Sequence, residues 1–108
     1  MASYDLKLLD CTLRDGGYVN DWKFGFNCAK DIINRLTKSN IDVVEVGFLR
    51  NVEEYNPDVT VCNRIEDLNK LLPDDAGNTM YSAMAMRSNY DINKLSPYTG
   101  SGIEMIRI

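Results

Sequence analysis

In the run Leu9-Asp10-Cys11-Thr12-Leu13-Arg14-Asp15-Gly16-Gly17, an arginine and a carboxylate sit side by side at the end of a short, mostly apolar segment, and two glycines follow. Such a segment reads as a strand, predicted here over residues 7–15, that delivers a cation and an anion at its C-terminal tip. Glycine adopts positive φ without steric cost, so the pair lets the chain turn there. Ligands of parallel α/β folds bind at strand C-termini, which makes Arg14 and Asp15 a candidate reaction centre. Alternation places Asp10, Thr12 and Arg14 on one side of the strand and Cys11, Leu13 and Asp15 on the other. Buried polar groups need partners, so a strand carrying Asp, Thr and Arg in line points to more than packing.

A second chemical residue follows about thirty positions on. In Ile41-Asp42-Val43-Val44-Glu45-Val46-Gly47-Phe48, Glu45 stands alone among apolar neighbours. A buried carboxylate is costly unless a cation meets it, and Arg14, at the same height on the adjacent strand, is the expected partner. Its planar donor fork can grip a carboxylate at two points. The functional reading is that Glu45 fixes Arg14, Arg14 neutralises a developing oxyanion, and Asp15 holds a divalent cation. The same spacing also fits a structural Arg14–Glu45 pair with Asp15 capping the next loop. Two loops on the same strand-end face favour a pocket. Residues 16–25 carry Tyr18, Asn20, Asp21, Trp22 and Lys23, and residues 49–58 carry Arg50, Glu53, Glu54, Tyr55 and Asn56.

The elements that position these groups are legible as periodicity. Short apolar runs predict parallel strands over 7–15, 42–48, 81–86 and 103–108. Phe26, Ala29, Ile32, Ile33 and Leu36 recur at helical spacing, and Thr37-Lys38-Ser39-Asn40 closes that helix. A second helix is predicted over 60–72, with Thr60 as N-cap, Cys62, Ile65, Leu68, Leu71 and Leu72 on one stripe, and Pro73 as its stop. A shorter third helix is predicted over 91–95. The order β-α-β-α-β-α-β implies a parallel sheet, and 108 residues that stop inside an apolar strand suggest four of the eight units of a (β/α)8 barrel. A complete barrel needs about 250 residues. The expectation is therefore one partial domain over 1–108, truncated at its fourth strand, with open edges that favour a homo-oligomer.

Composition narrows the class. Hydrophobic residues make up 44% and charged residues 26%, an ordinary globular mixture. The net charge of −4, without a basic run, argues against a nucleic-acid partner. No apolar run is long enough to span a bilayer, and the N-terminus lacks the pattern of a signal peptide. Three cysteines without a C-x-x-C spacing predict reduced, buried thiols and a cytoplasmic protein. The chain has no histidine, which excludes within these residues a Ser-His-Asp triad, a Cys-His pair and a His-ligated metal.

The segment Asp10-Cys11-Thr12-Leu13-Arg14-Asp15-Gly16, followed by Ile41-Asp42-Val43-Val44-Glu45-Val46-Gly47, resembles the DRE-TIM metallolyase superfamily. That group includes 3-hydroxy-3-methylglutaryl-CoA lyase, isopropylmalate and homocitrate synthases, and 4-hydroxy-2-oxovalerate aldolase. The extension through Gly17-Tyr18-Val19-Asn20 is most similar to the aldolase type. The resemblance implies the N-terminal half of a TIM barrel with a divalent metal, Mn²⁺ or Mg²⁺, at its mouth. Asp15 would then be a ligand, Arg14 the enolate-stabilising group and Glu45 its orienter. Asp10, Thr12 and Phe48 are the candidate substrate contacts. The small-molecule substrate would be a 2-oxo or 3-hydroxy acid cleaved at a carbon–carbon bond, and a Claisen-type acyl-CoA synthase is the alternative of the same group. A stand-alone α/β binding module is the alternative of another class.

Two departures matter. The family's remaining metal ligands are histidines of an H-x-H motif that these residues lack, so the 108-residue piece is expected to bind metal weakly and to be inactive alone. Tyr18 stands where the aldolases carry a histidine base and the lyases and synthases a glutamine. It is the candidate proton-transfer group, although phenols are weak bases at neutral pH.

Overall fold

Seven consecutive buried residues, Val43–Leu49, form the central strand β2 of a computed structural model that describes residues 6–108. Both faces of β2 are covered, as the nearly unbroken apolar run requires. The other strands are β1 (Leu9–Asp10), β3 (Val61–Cys62), β4 (Met80–Ala85) and β5 (Met105–Arg107). All pairings are parallel, in the order β1-β2-β4-β5, with β3 also on β2. The protein is thus an α/β chain built on a parallel five-stranded sheet. Among the described residues no helix is long and apolar enough to cross a membrane.

Helix α1 (Phe26–Lys38) buries Ala29, Ile33 and Thr37 against the sheet. Its first amide, Phe26 N, donates to the Asp58 carboxylate at 3.0 Å, which satisfies one of the donors a helix start leaves open. At the other end Asn40 takes positive φ, 60°, a conformation asparagine tolerates at helix ends. Thr37 does not close the helix from outside. It lies within it, donates to Ile33 O at 2.8 Å and shares a 2.9 Å hydrogen bond with the Tyr81 hydroxyl of β4.

The predicted first strand over 7–15 is far shorter, and the reason is local. The Asp10 carboxylate accepts from Thr12 N at 3.0 Å and Thr12 Oγ1 at 3.1 Å. This side-chain turn competes with the sheet ladder. Arg14 N and Asp15 N then both donate to Cys11 O, and a 3₁₀ turn follows over Asp15–Tyr18. The strand therefore does not extend past Asp10, although Thr12 is still exposed and Leu13 fully buried.

Where β1 leaves the edge of β2, β3 takes it. Leu9 and Asp10 pair with Val43 and Val44, whereas Val61 and Cys62 pair with Phe48 and Leu49. This replaces the first part of the helix predicted over 60–72, which shrinks to α2 (Ile65–Asn69). Thr60 is not its N-cap: buried, it donates its hydroxyl to Leu13 O at 2.7 Å. The apolar stripe is nonetheless real, since Cys62, Ile65, Leu68 and Leu71 all join the core. The third predicted helix is a single 3₁₀ turn, Ile92–Lys94, whose Asn93 N is capped by Asp91 at 3.0 Å. The fourth predicted strand contracts to β5.

The thiols are free but not uniformly buried, contrary to expectation. Cys62 is buried, Cys11 half-buried and Cys28 exposed, because position 28 falls off the Ala29–Ile33–Thr37 stripe of α1. Burial, reinforced by Asp67, pushes the Cys62 thiol up to about 12. An aromatic disulfide reagent at pH 8 is accordingly expected to label Cys28 readily in the folded protein and to reach Cys62 only after unfolding, as peptide mapping of the adducts will show. Equal labelling of both would contradict this placement.

Candidate functional site

Helices α1 and α2 cover one face of the sheet, and the site lies on the other. Register decides which side chains share that face. Glu45 pairs with Ser82, but Phe48 pairs with Met84, so β2 carries one residue more than β4 over this stretch. That bulge re-aims the strand. It puts Phe48 on the side of Glu45, where strict alternation would place Gly47. Ser82 pairs with Met105 and Met84 with Arg107, which adds Arg107 to the same face.

The Glu45 carboxylate is fully buried and held by two guanidinium groups. Arg14 Nε donates to Oε1 at 2.6 Å. Arg107 grips at two points, Nε to Oε2 at 2.5 Å and Nη2 to Oε1 at 3.0 Å. Ser82 Oγ lies 3.4 Å from Oε2. Burial alone pushes Glu45 up, yet the hydrogen bonds and charges of Arg107 and Arg14 together outweigh it and hold the carboxyl below its ordinary 4.5. The Arg14–Glu45 pair expected from sequence is therefore present, but the two-point grip belongs to Arg107. Sequence reasoning overlooked Arg107. Its signal was a single cation within the apolar run Met105-Ile106-Arg107-Ile108, the counterpart of the single anion on β2.

Arg14 has little room to move. Its Nη1 donates to Asp15 Oδ1 at 3.2 Å, its backbone carbonyl accepts from Trp22 Nε1 at 2.5 Å, and its guanidinium stands 5.6 Å from the centroid of Phe48. Trp22 and Phe48 pack edge to face at 5.4 Å between ring centroids, and Tyr18 packs edge to face on Trp22 at 4.8 Å. The glycines after Asp15 work differently from expectation. Positive φ falls on Asp21 and Trp22, at 55° and 59°, and not on Gly16 or Gly17. Gly17 is required by proximity, since a Cβ there would lie 1.9 Å from Trp22 Cδ1.

The candidate residues thus fall into two groups. Arg14, Asp15 and Glu45 come together, with Phe48 as a buried wall beneath Arg14 and Tyr18 at the exposed rim of the aromatic cluster. Asp10 and Thr12 are engaged with each other, and no hydrogen bond among the described residues joins them to Arg14 or Glu45. A divalent cation is a poor fit to what is present, because such ions take about six oxygen ligands. Both oxygens of Glu45 are held by arginine and both of Asp10 by Thr12, and Asp15, the remaining candidate, already pairs one oxygen with Arg14. Among the described residues no three acidic or cysteine side chains converge. What the arrangement can do by itself is hold guanidinium charge in a fixed place, partly shielded from water, against a developing oxyanion. The chain matches no family model, no curated protein and no solved structure.

Proposed function

We propose that these residues are the first half of a TIM barrel and that the barrel cleaves a carbon–carbon bond of a 2-oxo or 3-hydroxy acid through an enolate. The observation that carries this is Arg14, fixed in the turn that follows β1 by the fully buried Glu45. Cleavage beside a carbonyl leaves negative charge on oxygen, and a preorganised guanidinium stabilises that charge without reorganising at the moment of reaction. The motif resemblance of residues 10–16 and 41–47 supports the same reading. The resemblance implies a divalent metal, Mn²⁺ or Mg²⁺, to which these residues would offer only Asp15, and the reading rests on Arg14 without it. Tyr18, at the rim, is the proposed proton-transfer group. A cytoplasmic setting belongs to the proposal. So does a homo-oligomer, because among the described residues no strand pairs with the outer edge of β5.

The test follows enolisation directly. In a polypeptide extended through the complete barrel, pyruvate is expected to exchange its C3 protons for deuterium, read by proton NMR. Arg14→Gln should slow that exchange by about 100-fold. Exchange at the wild-type rate in the variant sinks the assignment. Release of free thiol from acetyl-CoA with a 2-oxo acid would instead identify the Claisen-type synthase.

A further inference from the structure

Three arginines gather on this face, and two of them have a carboxylate. Arg14 holds Glu45 and Asp15, and Arg107 holds Glu45. Arg50 has none: among the described residues it makes no ion pair, and its Nε is buried without a hydrogen-bond partner. Its guanidinium lies 4.2 Å from the Phe48 ring centroid and 4.7 Å from that of Trp22. Its backbone is pinned, because Arg50 N donates to Cys62 O at 3.1 Å and the next amide, Asn51 N, to Asn89 O at 2.9 Å. A half-buried cation without a counter-charge is an expensive device if its only task is to cover two rings. Stacking uses the face of a guanidinium and leaves its N–H edge free for a planar anion. The residue also directly follows β2, at the strand-end face where Arg14 stands, and both guanidiniums lie against the same Phe48 ring.

We propose that Arg50 is the carboxylate-binding residue of this site. It recognises the carboxylate of a small oxo acid, while Arg14 meets the oxygen that becomes the enolate. The inference rests on the enolate reading of Arg14 but is tested apart from it. Trp22 is the only tryptophan in the chain and touches Arg50, so its emission reports an anion arriving there. Pyruvate, its uncharged amide and inorganic phosphate serve as probes, with titration calorimetry as a second readout independent of the indole.

Pyruvate should produce a saturable change that pyruvamide does not. Arg50→Met keeps an apolar stem over the rings and removes the charge, and it should weaken pyruvate binding roughly tenfold or more. Arg50→Lys, which keeps charge without the fork, should fall between. Equal affinity of the wild type and Arg50→Met overturns the proposal. So does absence of pyruvate binding to the wild type, or tighter binding of phosphate than of pyruvate. The first and last of those results leave the C3 exchange that tests Arg14 untouched. Conversely, if Arg14→Gln leaves exchange intact while Arg50→Met loses pyruvate, the enolate reading falls and the carboxylate role of Arg50 stands.

Discussion

Glu45→Ala is expected to cost about 3 kcal/mol of folding stability, measured by urea denaturation, because it leaves Arg107 without a carboxylate and Arg14 with only the exposed Asp15. Arg14 and Arg107 share this one carboxylate, and no other acidic group reaches Arg107 among the described residues. The companion variant separates charge from packing. Glu45→Leu combined with Arg14→Met and Arg107→Met should recover most of the loss, since a buried ion cluster contributes less than well-packed apolar side chains of similar volume. Wild-type stability in Glu45→Ala would mean that the arginines are not held as described.

The same cluster sets the pH response. Burial pushes Glu45 up and the two arginines more than offset it, so its folded pKa lies below the ordinary 4.5. A carboxylate depressed on folding stabilises above its unfolded value, and that contribution is lost as pH falls through the folded value. Stability is therefore expected to hold through neutral pH and to decline once the solution is more acidic than about 4.5. Glu66, whose carboxyl the neighbouring Ser96 and Arg64 hold below its ordinary value, declines in the same window. Glu45→Gln should flatten the part of the acid slope that Glu45 supplies and leave that of Glu66.

Gly47→Ala is the second large effect, about 3 kcal/mol, and its origin is steric. A Cβ at position 47 would sit 2.2 Å from the Thr60 carbonyl oxygen and 3.1 Å from Leu68 Cδ2. The first neighbour is backbone and cannot swing aside. That carbonyl also accepts from Phe48 N at 2.9 Å, so alanine pushes β3 off the edge of β2 and strains the Thr60–Leu13 bond as well. Amide exchange at Phe48 and Arg50 should accelerate ahead of the rest of β2. Gly77→Ala is the control: its φ is 54° but a Cβ there meets nothing within 4 Å, and the expected loss is about 1 kcal/mol. If the two variants lose equal stability, the close approach of β3 is not what position 47 requires.

The pattern of right and wrong expectations follows the range of the interactions involved. Helix α1 was legible because its periodicity is written within thirteen consecutive residues. β2 was legible because a strand covered on both faces needs an unbroken apolar run, and the lone Glu45 in that run announced a buried partner. The first strand was over-extended because alternation ignores a short side-chain turn, and Asp10 makes one with Thr12. The second helix was over-extended because its apolar spacing also suits a two-residue strand followed by a helix. Only the vacant edge of β2 selects the latter.

By itself the sequence determined the class of fold, the helix that covers the sheet, and the pairing of Arg14 with the carboxylate on β2. Those depend on local period and on the cost of burying a charge, both of which are properties of the chain alone. The tertiary structure decided the rest of the site. Arg107 reaches Glu45 across 62 positions, Phe48 joins the Glu45 face only because β2 bulges against β4, and Gly17 matters because Trp22 folds back on it. Register, bulges and the close approach of distant backbone arise only when strands meet, and no period in a linear sequence encodes them.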